Sequence, residues 1–248
     1  MDDKGEEKMG KAANSSISLK QIHVTDNFWN KYVHLVKDVI IPYQWDILND
    51  KLEDVERICI FKSTETFDQL RKNKLVKEDA LLFINSIASV SLNDEDRERF
   101  HHYFSHIQSQ IVVEVTEEEN MSEEALIRKR ETEGFSGMFA LDDYGSGYNT
   151  EINLLNLNPK YIKIDLTIVR DIDKDFDKQQ IVSNIVEYAH QRDAYIIAEG
   201  IETKEELLKV LELGVDYLQG YYLSYPQSNP QEVFDESIQT IENYWKKR

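Results

Sequence analysis

Six short stretches of this chain are almost unbroken in apolar residues: ALLFINSIA (80–88), QIVVEVTE (110–117), MFALDDYG (138–145), YIKID (161–165), AYIIAEGIE (194–202) and DYLQGYYL (216–223). A strand with one face in water alternates apolar and polar residues, whereas a strand covered on both faces does not need to. The segments between them read as amphipathic helices. DKQQIVSNIVEYAHQRD repeats Ile181, Ile185 and Tyr188 or Ala189 at helical spacing, and TKEELLKVLELG opens on a Thr203–Glu206 capping-box pattern and stops at Gly214. Strands alternating with helices build a parallel sheet, and right-handed crossovers curl such a sheet toward a barrel. The expected class is therefore α/β, a (β/α)8 TIM-type barrel. Six strand candidates fall short of the eight that closure requires, so an incomplete barrel is expected.

The length suits one domain of this kind, and an apolar fraction of 41% is enough for a core. Residues 1–18 are charged and small and read as a disordered tail; residues 19–50 read as a helical segment interrupted at Pro42; residues 51–228 carry the barrel pattern; residues 229–248 read as a C-terminal helix. The formal charge is −18, from 47 acidic against 29 basic residues. Duplex nucleic acid needs a positive footprint, so it is excluded as a partner. Cys59, the single cysteine, sits in ERICIF and reads as buried filler, which leaves no disulfide framework. No apolar run reaches the roughly 18 residues of a membrane span. The amino-terminal MDDKGEEKMGKAANSS lacks a hydrophobic signal core, so a cytoplasmic location is expected.

The polar residues fall where a barrel keeps its chemistry. The strand candidates end in Asn85, Glu114, the pair Asp142 and Asp143, Lys163, Glu199 and Gln219. Polar groups at the C-termini of consecutive parallel strands converge on one mouth. Oxygen donors without a cysteine or histidine cluster suit hard cations, Mg²⁺ or Mn²⁺. Adjacent aspartates can flank two such ions, an arrangement that supports in-line attack on a phosphodiester, with the lysine on a phosphate oxygen or the attacking water. The six histidines are scattered, and those in HHYFSH belong to a surface helix.

FINS, EVTE, ALDDYGSGY, YIKID, AEGIE and LQGYYL, in this order, resemble the motifs of the EAL family of bacterial cyclic di-GMP phosphodiesterases, over roughly Lys51 to Pro226. The version with Tyr144 and Asn149 is similar to a subgroup common in Gram-positive bacteria. The resemblance implies a metal-dependent hydrolase of bacterial signalling that opens cyclic di-GMP to linear pGpG. It implies Asn85, Glu114 and Asp142 on a first metal, Asp142 bridging, and Asp143 on a second. It also implies Lys163 at the water or phosphate, Glu199 as general base or second-metal partner, and Gln219 as a neighbour of the water or metal. The loop 142–150, with Gly145, Ser146 and Gly147, resembles the family's metal- and dimer-sensing loop, with Glu202 holding it and a homodimer as the implied assembly; Ser146 keeps the hydroxyl of the family's usual threonine.

The letters EALIR at 124–128 are not the signature motif. In the family that motif ends the second strand, well before the asparagine; here it follows Asn85 and lies among helix formers, with Ser122 as an N-cap. Upstream, VTDNFWNKYVHLVKDVIIPYQWDILND resembles the N-terminal start of bacterial β-L-arabinofuranosidases, without any of their catalytic domain. The expected consequence is a site that lacks one glutamate of the first metal and the arginine that holds a phosphate. Activity is then reduced or lost, and a cyclic di-GMP-binding or protein-interaction module is the alternative.

Overall fold

The computed structural model describes residues 45–87, 90–115, 138–146, 151–226 and 233–247. The tail expected at 1–18, the break at Pro42, EALIR and Gly147 lie outside the described residues. The described residues open with helix α1 (Trp45–Lys72), followed by β1 (Leu82–Ser86), α2 (Asp94–Phe104), β2 (Ile111–Val115) and β3 (Phe139–Tyr144). Then come α3 (Glu151–Leu157), β4 (Tyr161–Ile164), α4 (Leu166–Val169), α5 (Phe176–His190), β5 (Tyr195–Ala198), α6 (Lys204–Glu212), β6 (Tyr217–Leu218) and α7 (Asp235–Lys246).

The six strands form one parallel sheet in the order β1-β2-β3-β4-β5-β6, each expected strand in its place. This is part of a (β/α)8 barrel, with β1 and β6 as its two described edges. Strand side chains alternate between faces, so the inner face is read two residues at a time. Phe83, Tyr161, Tyr195 and Tyr217 share that face. Phe83 meets Tyr161 at 5.1 Å between ring centroids, and Tyr161 meets Tyr195 at 5.6 Å and Tyr217 at 5.8 Å. Two residues farther along stand Asn85, Lys163 and Gln219, and four beyond Tyr195 stands Glu199. A floor of aromatic rings thus underlies the polar layer.

The strands are staggered as barrel closure demands. Asn85 pairs level with Glu114, but Glu114 pairs with Ala140, two residues short of Asp142. Lys163 likewise pairs with Ile197, two residues short of Glu199. The stagger tilts the strands so that successive tips point into one mouth.

Helices close the outer face. In α5 the buried stripe is Val182, Ile185, Val186 and Ala189, while Ile181 is exposed, so the expected stripe through Ile181 is off by one residue. The capping box of α6 forms as expected, and Gly214 lies in left-handed backbone beyond the helix. The expected boundary at 50/51 falls inside α1, which runs through it without a break. Cys59 is buried in α1; burial, with the Glu56 carboxylate adding, pushes its thiol up to about 12. His101 and His102 are exposed on α2, His106 pairs with Asp68 at 2.9 Å and His190 with Asp216 at 2.9 Å, so no described histidine takes part in the polar layer. No described helix is long and apolar enough to cross a membrane.

Candidate functional site

The centre of the polar layer is Lys163, on β4 and 3% exposed. Its Nζ lies 2.7 Å from Glu114 Oε1, 2.8 Å from Asp142 Oδ1 and 2.8 Å from Glu199 Oε1. A buried ammonium is tolerated only when paired, and here carboxylates from the strands on either side and from β2 surround it. Glu114 is fully buried and Asp142 nearly so.

Asp143 would point outward if β3 ran straight. Instead the β3–β4 register shifts between Leu141 and Tyr144, and Asp143 adopts φ +56. A bulge with one residue in left-handed backbone turns that side chain back toward the mouth. Its N–H donates to Asp142 Oδ1 at 3.1 Å, and its carbonyl accepts from Ser146 N–H at 3.1 Å. As a result, one carboxylate oxygen each from Asp142, Asp143 and Glu199 fall within 4.8 Å of one another.

Glu199 follows the last residue of β5, and its N–H donates to Ile164 O at 3.1 Å. Burial pushes its carboxyl well above the usual carboxylate range; Lys163 opposes this, and Asp142 and Glu114 add to it. Asn85, at the tip of β1, has a buried Oδ1 without a hydrogen-bond partner among the described residues. Gln219 tips β6, its N–H donating to Ala198 O at 2.8 Å and its carbonyl accepting from Ile201 N–H at 3.0 Å. The described part of the loop puts Gly145 and Ser146 at the exposed rim.

Glu202 was expected to hold that loop. Its carboxylate meets Arg170 at 2.9 Å in a pair about half exposed, while residues 147–150 of the loop lie outside the described residues. Asp46 belongs to α1 and is not at a described strand tip.

Two acids that the sequence did not single out as site residues are buried beside the polar layer. Glu56, fully buried on α1, accepts from Ser86 Oγ and, at 2.9 Å, from Ile87 N–H, just past Asn85. Glu206, visible in the sequence only as a helix cap, is 4% exposed. The one available signal was an acid at an apolar position of an otherwise core-facing stripe.

The oxygen-only donor set fits hard divalent cations. Four carboxylates (Glu114, Asp142, Asp143 and Glu199) surround one ammonium (Lys163), a formal excess of three negative charges if all are ionised. Such an excess in a buried mouth calls for cations.

Residues 49–226 match the EAL domain family, and the chain belongs to it. The chain is 34% identical to the cyclic di-GMP phosphodiesterase PdeF of Escherichia coli over 120 residues, which is 48% of this chain and 16% of that protein. The fold matches a manganese and cyclic di-GMP complex of Klebsiella pneumoniae BlrP1 with TM-score 0.61 and 27% identity, over 70% of this chain and 45% of that one. It also matches a standalone EAL protein of Vibrio cholerae in its cyclic di-GMP-bound form, with TM-score 0.64 and 22% identity over 81% of this chain and 84% of that one. The chain spans less than a fifth of PdeF, so the family is shared and the whole relative's activity is not thereby assigned.

Proposed function

We propose that this chain is a metal-dependent phosphodiesterase domain that hydrolyses cyclic di-GMP to linear pGpG, with activity reduced by an incomplete first-metal site. The observation that carries the reading is the gathering of four carboxylates, three of them on Lys163, which leaves three negative charges in excess when all are ionised. Two divalent ions together with one phosphodiester anion carry three positive charges net, which balances it. Asn85, Glu114 and Asp142 would hold one Mg²⁺ or Mn²⁺, and Asp142 and Asp143 with Glu199 the other. When bound, such ions neutralise charge on the phosphoryl oxygens and acidify a water.

The chain's own residues do the rest. Lys163 orients the attacking water or a phosphate oxygen. Glu199 takes the proton as the water oxygen bonds to phosphorus, and the ester oxygen opposite leaves with a proton from solvent. The aromatic floor and the buried flanks exclude other water from this face. The loop at 142–150 would report on a second copy of the chain, forming a homodimer.

A second reading is a non-catalytic module that binds cyclic di-GMP. It is favoured by the absence, from every described strand tip, of a further glutamate beside Asn85. Chromatography of cyclic di-GMP incubated with the purified chain in Mn²⁺ tests the first reading, which expects pGpG. Calorimetry with the dinucleotide in Ca²⁺ tests both. Heat without product leaves the binding module, and no heat with no product removes both readings.

A further inference from the structure

Glu206 does more than cap its helix. An acid in the first turn of a surface helix ordinarily lies in water, yet this one is 4% exposed and bonded only to backbone N–H groups among its described contacts. Oε2 accepts from Thr203 N–H at 3.0 Å, the bond of the capping box, and from Glu202 N–H at 2.9 Å. Oε1 reaches out of the helix altogether and accepts from Asp171 N–H at 2.8 Å. Asp171 lies just past α4 with φ +57, a left-handed conformation that a non-glycine residue holds only when its surroundings impose it.

These bonds join two loops that matter. One follows β4, which carries Lys163; the other follows β5 and begins at Glu199. Between the loops lies α4, packed so closely that two glycines make room for it. A Cβ on Gly200 would stand 2.4 Å from Leu166 Cβ, and one on Gly145 would stand 2.2 Å from Ile168 Cδ1. The same short helix is therefore pressed on one side against the turn after Glu199 and on the other against the loop after Asp143. Glu206 pins its far end. The second tie between the loops, Arg170 with Glu202, is about half exposed, and such pairs contribute little.

We infer that Glu206 is a positioning residue: by bonding the backbone of both loops at once, it holds Glu199 against Lys163. The catalytic consequence rests on the phosphodiesterase reading, but the geometry does not, so the test needs neither substrate nor metal. Acylation of Lys163 by an amine-reactive ester, in chelator and at fixed temperature, is followed by peptide mass mapping. In Glu206→Gln one acceptor oxygen becomes a donor facing an N–H, and the Lys163 rate per folded molecule is expected to rise at least about tenfold. Thr203→Ala removes the hydroxyl that caps α6 but leaves the carboxylate clamp, and the Lys163 rate should stay within about twofold of wild type.

Equal Lys163 labelling in the two variants overturns the inference, as does a rate that merely follows the global unfolding measured in urea. Should Glu206→Gln fail to fold, native-state hydrogen exchange of the wild type decides. The amides of Asp171, Glu202 and Thr203 are expected to open together, below the global unfolding energy. Independent exchange of Asp171 also overturns it. Loss of turnover in the wild type with the labelling contrast intact would remove the phosphodiesterase reading and leave this one standing.

Discussion

The middle of the sheet and its β1 edge hold their polar residues in different ways. At the middle, Lys163 has strands on both sides, carboxylates at 2.7–2.8 Å, and loops tied to each other beyond the strand tips. At the edge, β1 pairs with β2 alone among the described strands, and Asn85 offers a buried acceptor that no described residue answers. Its backing comes from outside the barrel, where Glu56 fastens Ser86 and Ile87 from α1. Ser86 and Asn85 point to opposite faces of the strand, so Glu56 cannot serve as the missing ligand at the mouth. The middle thus has a protein cation of its own at its centre, Lys163. The edge is shaped for something the protein does not itself supply.

The sharpest way to break this contrast is Lys163→Ala. It leaves Glu114, Asp142 and Glu199 buried without their cation, and should cost about 3–5 kcal/mol in chelator, recovered in part by Mn²⁺. Urea denaturation with and without the ion measures both. A loss below about 1 kcal/mol would mean that the middle is not held by that charge. Next in size is Gly200→Ala, where a Cβ meets Leu166 at 2.4 Å with φ at +69. Strain and collision together should cost about 2–4 kcal/mol. Mn²⁺ affinity should fall with it, because the turn carries Glu199; an unchanged affinity would show that α4 does not govern the carboxylate.

The backing of the edge has its own signature in pH. The Cys59 thiol is pushed up to about 12 in the folded chain by burial and by Glu56, against roughly 8.5 when exposed. The folded state therefore binds this proton more tightly. Its contribution to stability is complete below about 8.5 and drains away as pH rises toward 12. At pH 9.5 the loss is about 1.4 kcal/mol relative to neutrality, and it should vanish in Cys59→Ala. Parallel urea midpoints against pH for the two proteins would contradict a buried thiol behind β1.

The six strands could be read from the sequence because both their faces are covered, so each appears as an unbroken apolar run. The polar layer could be read because its members stand at the ends of consecutive apolar runs. The phase of α5 could not. Ile181 and Val182 both start acceptable stripes, and only the sheet beneath decides that Val182 faces it. The turned-back carboxylate of Asp143 depends on a bulge that no spacing announces. Glu56 and Glu206 look like solvated acids until the donors that bury them are brought together from 30 and 35 residues away. Apart from their place in a core-facing stripe, no local pattern shows the distant backbone donors that such acids bond.

The smallest expected effect on stability is also the most telling about the edge. Asn85 has no described hydrogen-bond partner at Oδ1, so removing that oxygen takes away a desolvation cost along with a side chain. Asn85→Ala should change metal-free stability by less than about 1 kcal/mol, in contrast to Lys163→Ala three strands inward. If the acceptor serves a cation, Mn²⁺ affinity by calorimetry should nevertheless fall at least about tenfold. A large metal-free destabilisation would show that β1 is held by its own polar tip after all, and the distinction between edge and middle would collapse. A fall in metal affinity with unchanged stability would mean that Asn85 serves a cation and not the hold on β1.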